Sequence, residues 1–167
     1  MGYAVQYAKL LGAGVTIVAF ERDPGKLAVA KSYGADHAID IRGKSAADIG
    51  AELQSQTVQK DLDAIIDCVG AAETIQLGFN LLSISGHYVD VGLLGDRIDI
   101  PLFPRINREQ TFYGSNWGNC TDLSEVMALA ARGKIQHTVK QVRIDQINET
   151  IELLRAGKII GRTVVKF

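Results

Sequence analysis

At 167 residues the chain is long enough for one ordinary domain with a real core, and 47% hydrophobic with 22% charged residues is a globular composition. A formal net charge of −1 argues against a nucleic-acid binder, which carries a basic excess on one face. No apolar run approaches the roughly 20 residues that cross a bilayer, and no basic region followed by an apolar stretch and a small-residue cleavage site marks secretion. Cys68 and Cys120 are the only cysteines. Without a CxxC or a Cys/His cluster around them, they suit a reducing cytoplasm better than a disulfide scaffold.

The predicted elements alternate between helix and strand. Residues 3–11 read as a helix and 15–20 as a buried strand that ends in Glu21-Arg22-Asp23. In DPGKLAVAKSYG, Asp23 is placed to cap a helix, Pro24 to occupy its first position and Gly34 to stop it. HAIDI is a short strand and SAADIGAELQSQTV a helix. DAIIDCVG (63–70) is a near-continuous apolar run, as expected for a parallel strand covered on both faces. AAETIQLGFNLLSI is helical, and HYVDVG is another buried strand.

Residues 97–102 and 110–115 then read as strands joined by a proline-containing loop. Asp122 with Glu125 resembles a capping box, and Leu123, Val126, Met127 and Ala130 recur at helical spacing until Gly133. VKQVRI is a strand, Ile147, Ile151 and Leu154 mark an amphipathic helix, and RTVVKF closes as a strand. The pattern predicts an α/β fold with a mostly parallel sheet.

Glu21 carries the strongest chemical signal. In a dinucleotide-binding fold, an acid at the tip of the second strand accepts hydrogen bonds from the adenosine ribose, about 20 residues beyond a glycine-rich turn. The count back from Glu21 lands on Met1, so the first strand and that turn are missing from the expected pattern. As a bare strand-end acid, Glu21 reads equally well as a solvated carboxylate.

The string GYAVQYAKLLGAGVTIVAFERDPGKLAVAKSYGADHAID resembles the cofactor domain of the medium-chain, zinc-dependent alcohol dehydrogenases. DAIIDCVG, GHYVDVGLLG, YGSNWGN, DLSEVMALAARGKI and GKIIGRTVVKF follow in the family's order and spacing. The resemblance implies a Rossmann-like doubly wound sheet over residues 1–116, incomplete at its N-terminal end. Residues 117–167 would be the segment that packs on the family's catalytic domain. The family's zinc ligands and proton relay have no counterpart here, so no catalytic or metal residue is assigned and the chain alone is expected to be inactive. His37, His87 and His137 lack ligand spacing, and Cys68 and Cys120 read as packing residues.

What the resemblance leaves is NAD recognition. Glu21 would hold the adenosine ribose hydroxyls and repel a 2′-phosphate. Arg22 complicates that preference, since its guanidinium could stack on adenine or meet a phosphate. Lys26 would reach the same ribose. Cys68, Val69 and Gly70 match the strand end against the adenine. Val91, Gly92 and Leu93 match the one beneath the nicotinamide, and Ser115, Asn116 and Trp117 a stretch whose backbone meets the carboxamide. Arg162 matches an arginine on the pyrophosphate. For the apolar members of this set, plain strand-end core is nearly as good a reading.

The implied whole is an alcohol dehydrogenase acting on small alcohols or aldehydes. Two alternatives stand beside it: a non-catalytic nucleotide-binding or subunit-interaction module, and part of a zinc-free quinone or enoyl reductase. NAD affinity of the isolated chain is expected to be weak. A homodimer is expected through an edge strand at residues 97–101, charged at Arg97 and Asp99 and ending in Pro101. Without a central first strand, the strands at 15–20 and 64–67 are expected either to pair directly or to be bridged by another segment, such as the tail at 162–167 or a strand from a second chain.

Overall fold

The computed structural model describes residues 2–12 and 14–167; Met1, on which the count back from Glu21 lands, lies outside them. The first half runs α1 (Gly2–Leu11), β1 (Val18–Glu21), α2 (Pro24–Ser32), β2 (His37–Asp40), α3 (Ala46–Gln56) and β3 (Leu62–Asp67). It continues with α4 (Ala72–Leu81), β4 (Leu82–Asp90), α5 (Leu102–Asn107) and β5 (Thr111–Gly114). The last part holds α6 (Cys120–Ala131), β6 (Val139–Val142), a single 3₁₀ turn (Ile144–Gln146), α7 (Ile147–Arg155) and β7 (Arg162–Val165). The expected α/β class holds, with parallel pairing of β3 with β4, β4 with β5, and β6 with β7. Two compact units divide the chain, one of residues 39–120 and one of 2–38 with 121–167.

In the unit of residues 39–120, β4 is the central strand of a three-stranded sheet. Ile65, Tyr88 and Phe112 stand in one row across it, and α4 covers that row. Phe79 of α4 stacks on Tyr88 at 5.2 Å between ring centres, and Tyr88 stacks on Phe112 at 5.6 Å. A glycine in mid-helix costs about 1 kcal/mol relative to alanine. Gly78 earns its place because a Cβ there would overlap the Tyr88 ring. Tyr88 is fully buried as a result, with Ile75, Phe79 and Leu82 around it. The capping box of α3 is complete, Ser45 and Asp48 exchanging backbone and side-chain hydrogen bonds.

In the other unit, α1, α2 and β1 enclose Val5, Ala19, Ala30 and Ala35, with Ile17 and Tyr33 against them. The start and stop of α2 are as predicted. Asp23 accepts from the Lys26 N–H at 3.1 Å, Pro24 opens the helix, and Gly34 leaves it with φ +103°. Asp36 accepts from the Ile17 N–H and from the Lys9 ammonium, each at 2.8 Å, fixing the approach to β1.

Several expectations are corrected. Residues 97–101 form no strand, so they are not the predicted sheet edge. Ile98 and Ile100 turn alternate side chains onto the Tyr88 cluster without a ladder partner, and β5 is the outer strand instead. The helix predicted to reach Ile84 ends at Leu81; β4 takes over at Leu82 through a register shift, with Ser85 at φ +56°. α6 begins at Cys120, so Asp122 lies inside the first turn rather than at its cap.

Neither the direct pairing expected of the strands at 15–20 and 64–67 nor a bridge by the tail is found among the described residues. Among the described residues β1 pairs only with β2, β3 only with β4, and the tail strand β7 lies on β6. β7 finds a full parallel ladder there, from Val139↔Arg162 to Val142↔Val165, extended by Arg162 N–H to the Thr138 carbonyl. The other edge of β3 carries backbone groups without a strand partner among the described residues. Asp63, Ala64 and Ile66 are exposed, so solvent can meet those groups.

Candidate nucleotide-binding site

The predicted residues fall into two sets. Glu21, Arg22, Lys26 and Arg162 belong to the unit that contains β1 and α2; the rest belong to the unit of β3, β4 and β5.

In the first set, Glu21 ends β1 and its side chain turns onto the chain that follows. Oε1 accepts from the Arg22 N–H at 2.7 Å and from the Asp23 N–H at 3.3 Å. That brace holds the carboxylate over the β1–α2 turn and leaves Oε2 for a ligand hydroxyl. Lys26 lies in the first turn of α2, whose N-terminal end favours anions. Ile160 approaches Gly25 in that turn, where an added Cβ would meet its Cδ1 at 3.1 Å. Arg162 follows two residues later as an exposed side chain at the start of β7. Glu21, Lys26 and Arg162 are therefore delivered by one cluster of turns around the start of α2.

In the second set, the ends of β3 and β4 meet backbone to backbone. Gly70 has φ +67°, and a Cβ on it would overlap the Gly92 carbonyl; one on Gly92 would overlap the Val69 backbone. The Val91 and Gly92 N–H groups donate to the Asp67 carbonyl at 2.9 and 3.1 Å. Leu94 N–H donates to the Val69 carbonyl at 3.1 Å, and Gly95 N–H to that of Gly70 at 2.8 Å. Ser115 N–H donates to the Asp90 carbonyl at 2.8 Å, setting the end of β5 beside them. Cys68, Val69, Val91, Leu93, Asn116 and Trp117 are exposed around these turns, with Trp117 at φ +53°. The carboxyl ends of parallel strands are where open α/β sheets bind ligands, and this unit presents an apolar rim there.

Sequence reasoning missed Asp67. Its Oδ1 accepts from Val69 N–H at 2.7 Å and Gly70 N–H at 3.1 Å, and its Oδ2 from the Thr74 hydroxyl at 2.6 Å and the Tyr88 hydroxyl at 2.7 Å. Burial pushes this carboxyl up, but the hydrogen bonds from Thr74, Tyr88, Val69 and Gly70 outweigh it and hold it below the ordinary range. Burial, followed by the Asp67 hydrogen bond, pushes the Tyr88 phenol well above its ordinary value. Asp90 is pushed up by burial and then by the Asp67 charge, against a hydrogen bond from Gly92 N–H. The available signal was an acid closing an apolar strand directly before a turn.

The residues present do not fit zinc. Among the described residues no three His, Cys, Asp or Glu side chains converge. Nδ1 of His87 is hydrogen-bonded to Thr111 at 2.7 Å and Nδ1 of His137 to Tyr3 at 2.5 Å. No helix among the described residues is long and apolar enough to cross a membrane.

The sequence profile of the zinc-binding dehydrogenases matches residues 2–132. An NAD-dependent alcohol dehydrogenase of Sulfurisphaera tokodaii is 34% identical over 165 residues, 97% of this chain and 46% of that protein. A D-arabinose 1-dehydrogenase (NADP(+)) of Saccharolobus solfataricus is 29% identical over 98% of this chain and 45% of its own length. The crystal structure of the alcohol dehydrogenase from Aeropyrum pernix superposes with a TM-score of 0.86 at 31% identity, over 97% of this chain and 45% of that one. The chain thus spans about half the length of the relatives it matches. With a profile match over most of its length and a Rossmann-like fold shared with such enzymes, the chain belongs to the zinc-binding dehydrogenase family.

Proposed function

We propose that this chain is the coenzyme-binding half of an NAD-dependent alcohol dehydrogenase, in which hydride passes between an alcohol and the nicotinamide. The observation that carries the reading is Glu21, braced through Oε1 and offering Oε2 at the end of β1. A carboxylate so held accepts from a pair of ribose hydroxyls and repels a 2′-phosphate. The relatives named for their cofactor include both NAD and NADP(+) enzymes, so the choice rests on this side chain.

In this reading Lys26 and Arg162 supply positive charge to the ribose and pyrophosphate. The turns at Val69–Gly70 and Val91–Gly92 present backbone and apolar side chains to the rings. NAD would supply the hydride acceptor; the chain's own residues bind and orient it and move no proton. Zinc chemistry is not assigned to these residues. We place the protein in the cytoplasm, on the ground that two unclustered cysteines suit a reducing compartment better than a disulfide scaffold. A homodimer through the extended segment at 97–101 remains part of the proposal, with Arg97, Asp99 and Pro101 exposed for it.

Calorimetric titration of the chain with NAD and with NADP tests the central claim. NAD binding, with NADP at least about tenfold weaker, is the expected result. Equal affinities, or tighter binding of NADP, would refute it.

A further inference from the structure

We propose that Asp67 is a positioning residue that sets the separation of the two strand-end turns, Val69–Gly70 and Val91–Gly92, and thereby the shape offered to the dinucleotide. The claim deepens the cofactor reading and rests on it. Asp67 reaches both turns by different atoms. Its carboxylate takes the N–H groups of Val69 and Gly70, while its main-chain carbonyl takes those of Val91 and Gly92. Thr74 and Tyr88 occupy the second carboxylate oxygen, so the side chain is tied to the first turn of α4 and to the middle of β4 as well.

With 7% of its surface exposed, Asp67 has little freedom to find other partners. The glycines make the coupling steric. Gly70 and Gly92 approach so closely that neither turn can move toward the other, and the four N–H donors stop them moving apart. A buried carboxylate engaged by four donors is a demanding arrangement. Chain reversal alone needs only the glycine, so the carboxylate is explained by what it holds. The charged and titratable groups around it are Tyr88 and Asp90 on β4, and no cation faces it among the interactions seen.

Amide hydrogen exchange on the 167-residue chain, with and without NADH, tests this in Asp67→Ala, Asp67→Asn and Tyr88→Phe. Asp67→Ala should raise exchange about tenfold at residues 69, 70, 91 and 92, leave β6 and β7 unchanged, and weaken NADH binding about tenfold. Asp67→Asn keeps one carbonyl oxygen for Val69 and Gly70, and should restore both readouts to within about threefold. Faster exchange confined to 69 and 70, with 91 and 92 still protected, would overturn the proposal, because those two donate to a carbonyl the substitution leaves in place. If Asp67→Ala loosens the whole chain, Tyr88→Phe decides: faster exchange at 69, 70, 91 and 92 in a folded protein supports the claim, and unchanged exchange there defeats it. Failure of the unsubstituted chain to bind NADH would remove the cofactor reading, while the exchange comparison would still judge the positioning of the turns.

Discussion

Gly70 and Gly92 lie so close that a side chain on either would occupy the other's backbone. This crossing is where the ends of β3 and β4 become one surface. Gly92→Ala must force the two turns apart, and Gly70→Ala adds the cost of a left-handed backbone, about 1–2 kcal/mol. Both are expected to lower the unfolding free energy by about 2–4 kcal/mol in urea titrations and to weaken NAD binding. Gly114→Ala, at the end of β5 with open space around it, is the control and should change stability by less than about 0.5 kcal/mol.

Glu21→Ala should relax discrimination against NADP. The substitution removes a charge and the brace to the Arg22 and Asp23 N–H groups, but no buried packing. The ratio of NADP to NAD dissociation constants is expected to fall about tenfold, mostly through tighter NADP. An unchanged ratio, with the fold intact by circular dichroism, would take Glu21 out of the site.

The features legible in the sequence were those written locally. Asp23, Pro24 and Gly34 bound α2 through contacts within a few residues, and Glu21 was visible because a strand end is a fixed place. Residues 97–101 misled because alternation reports which side chains are covered, not whether a neighbouring strand exists; Ile98 and Ile100 are covered by the Tyr88 cluster alone. Asp67 was hidden because two of its partners, Thr74 and Tyr88, come from separate elements. The free edge of β3 was misjudged because burial was assumed for a strand whose Ala64 and Ile66 are exposed.

Asp67 and Asp90 should act on stability with opposite signs. Asp67 is held below its ordinary value, so its stabilisation is complete above the unfolded pKa of about 3.9 and is lost as the pH falls through the lower folded value. Asp90 is raised, so its ionised form works against the fold above its folded pKa and the penalty disappears as the pH falls through that value. Asp90→Asn keeps an oxygen for Gly92 N–H and removes the repulsion from Asp67. It is expected to raise the thermal midpoint at pH 7 and to leave it nearly unchanged at pH 3. A lower midpoint at pH 7 would show that the Asp90 charge is compensated by a group other than Gly92 N–H.

Gln6 provides the last test. It lies on α1 with 7% of its surface exposed, and its amide pairs with the backbone of Gln136 as a neighbouring strand would. Its Oε1 accepts from Gln136 N–H at 2.6 Å, and its Nε2 donates to the Gln136 carbonyl at 3.0 Å. Two residues on, Thr138 receives the Tyr33 hydroxyl contact and offers its carbonyl to Arg162 N–H. The side chain of Gln6 therefore anchors the segment from which β7 and Arg162 are placed. Gln6→Leu fills similar volume but removes both hydrogen bonds to the Gln136 backbone, each worth about 0.5–1.5 kcal/mol. The variant should lose about 1–3 kcal/mol of stability, with amide exchange rising first at Gln136 and Arg162 rather than in β3 or β4. Gln6→Glu should fail to repair the site at neutral pH, since a carboxylate accepts from Gln136 N–H but has nothing to donate to its carbonyl. Full stability in Gln6→Leu would mean that water takes over both groups and that the 136–138 segment is held by Tyr3 and Tyr33 alone.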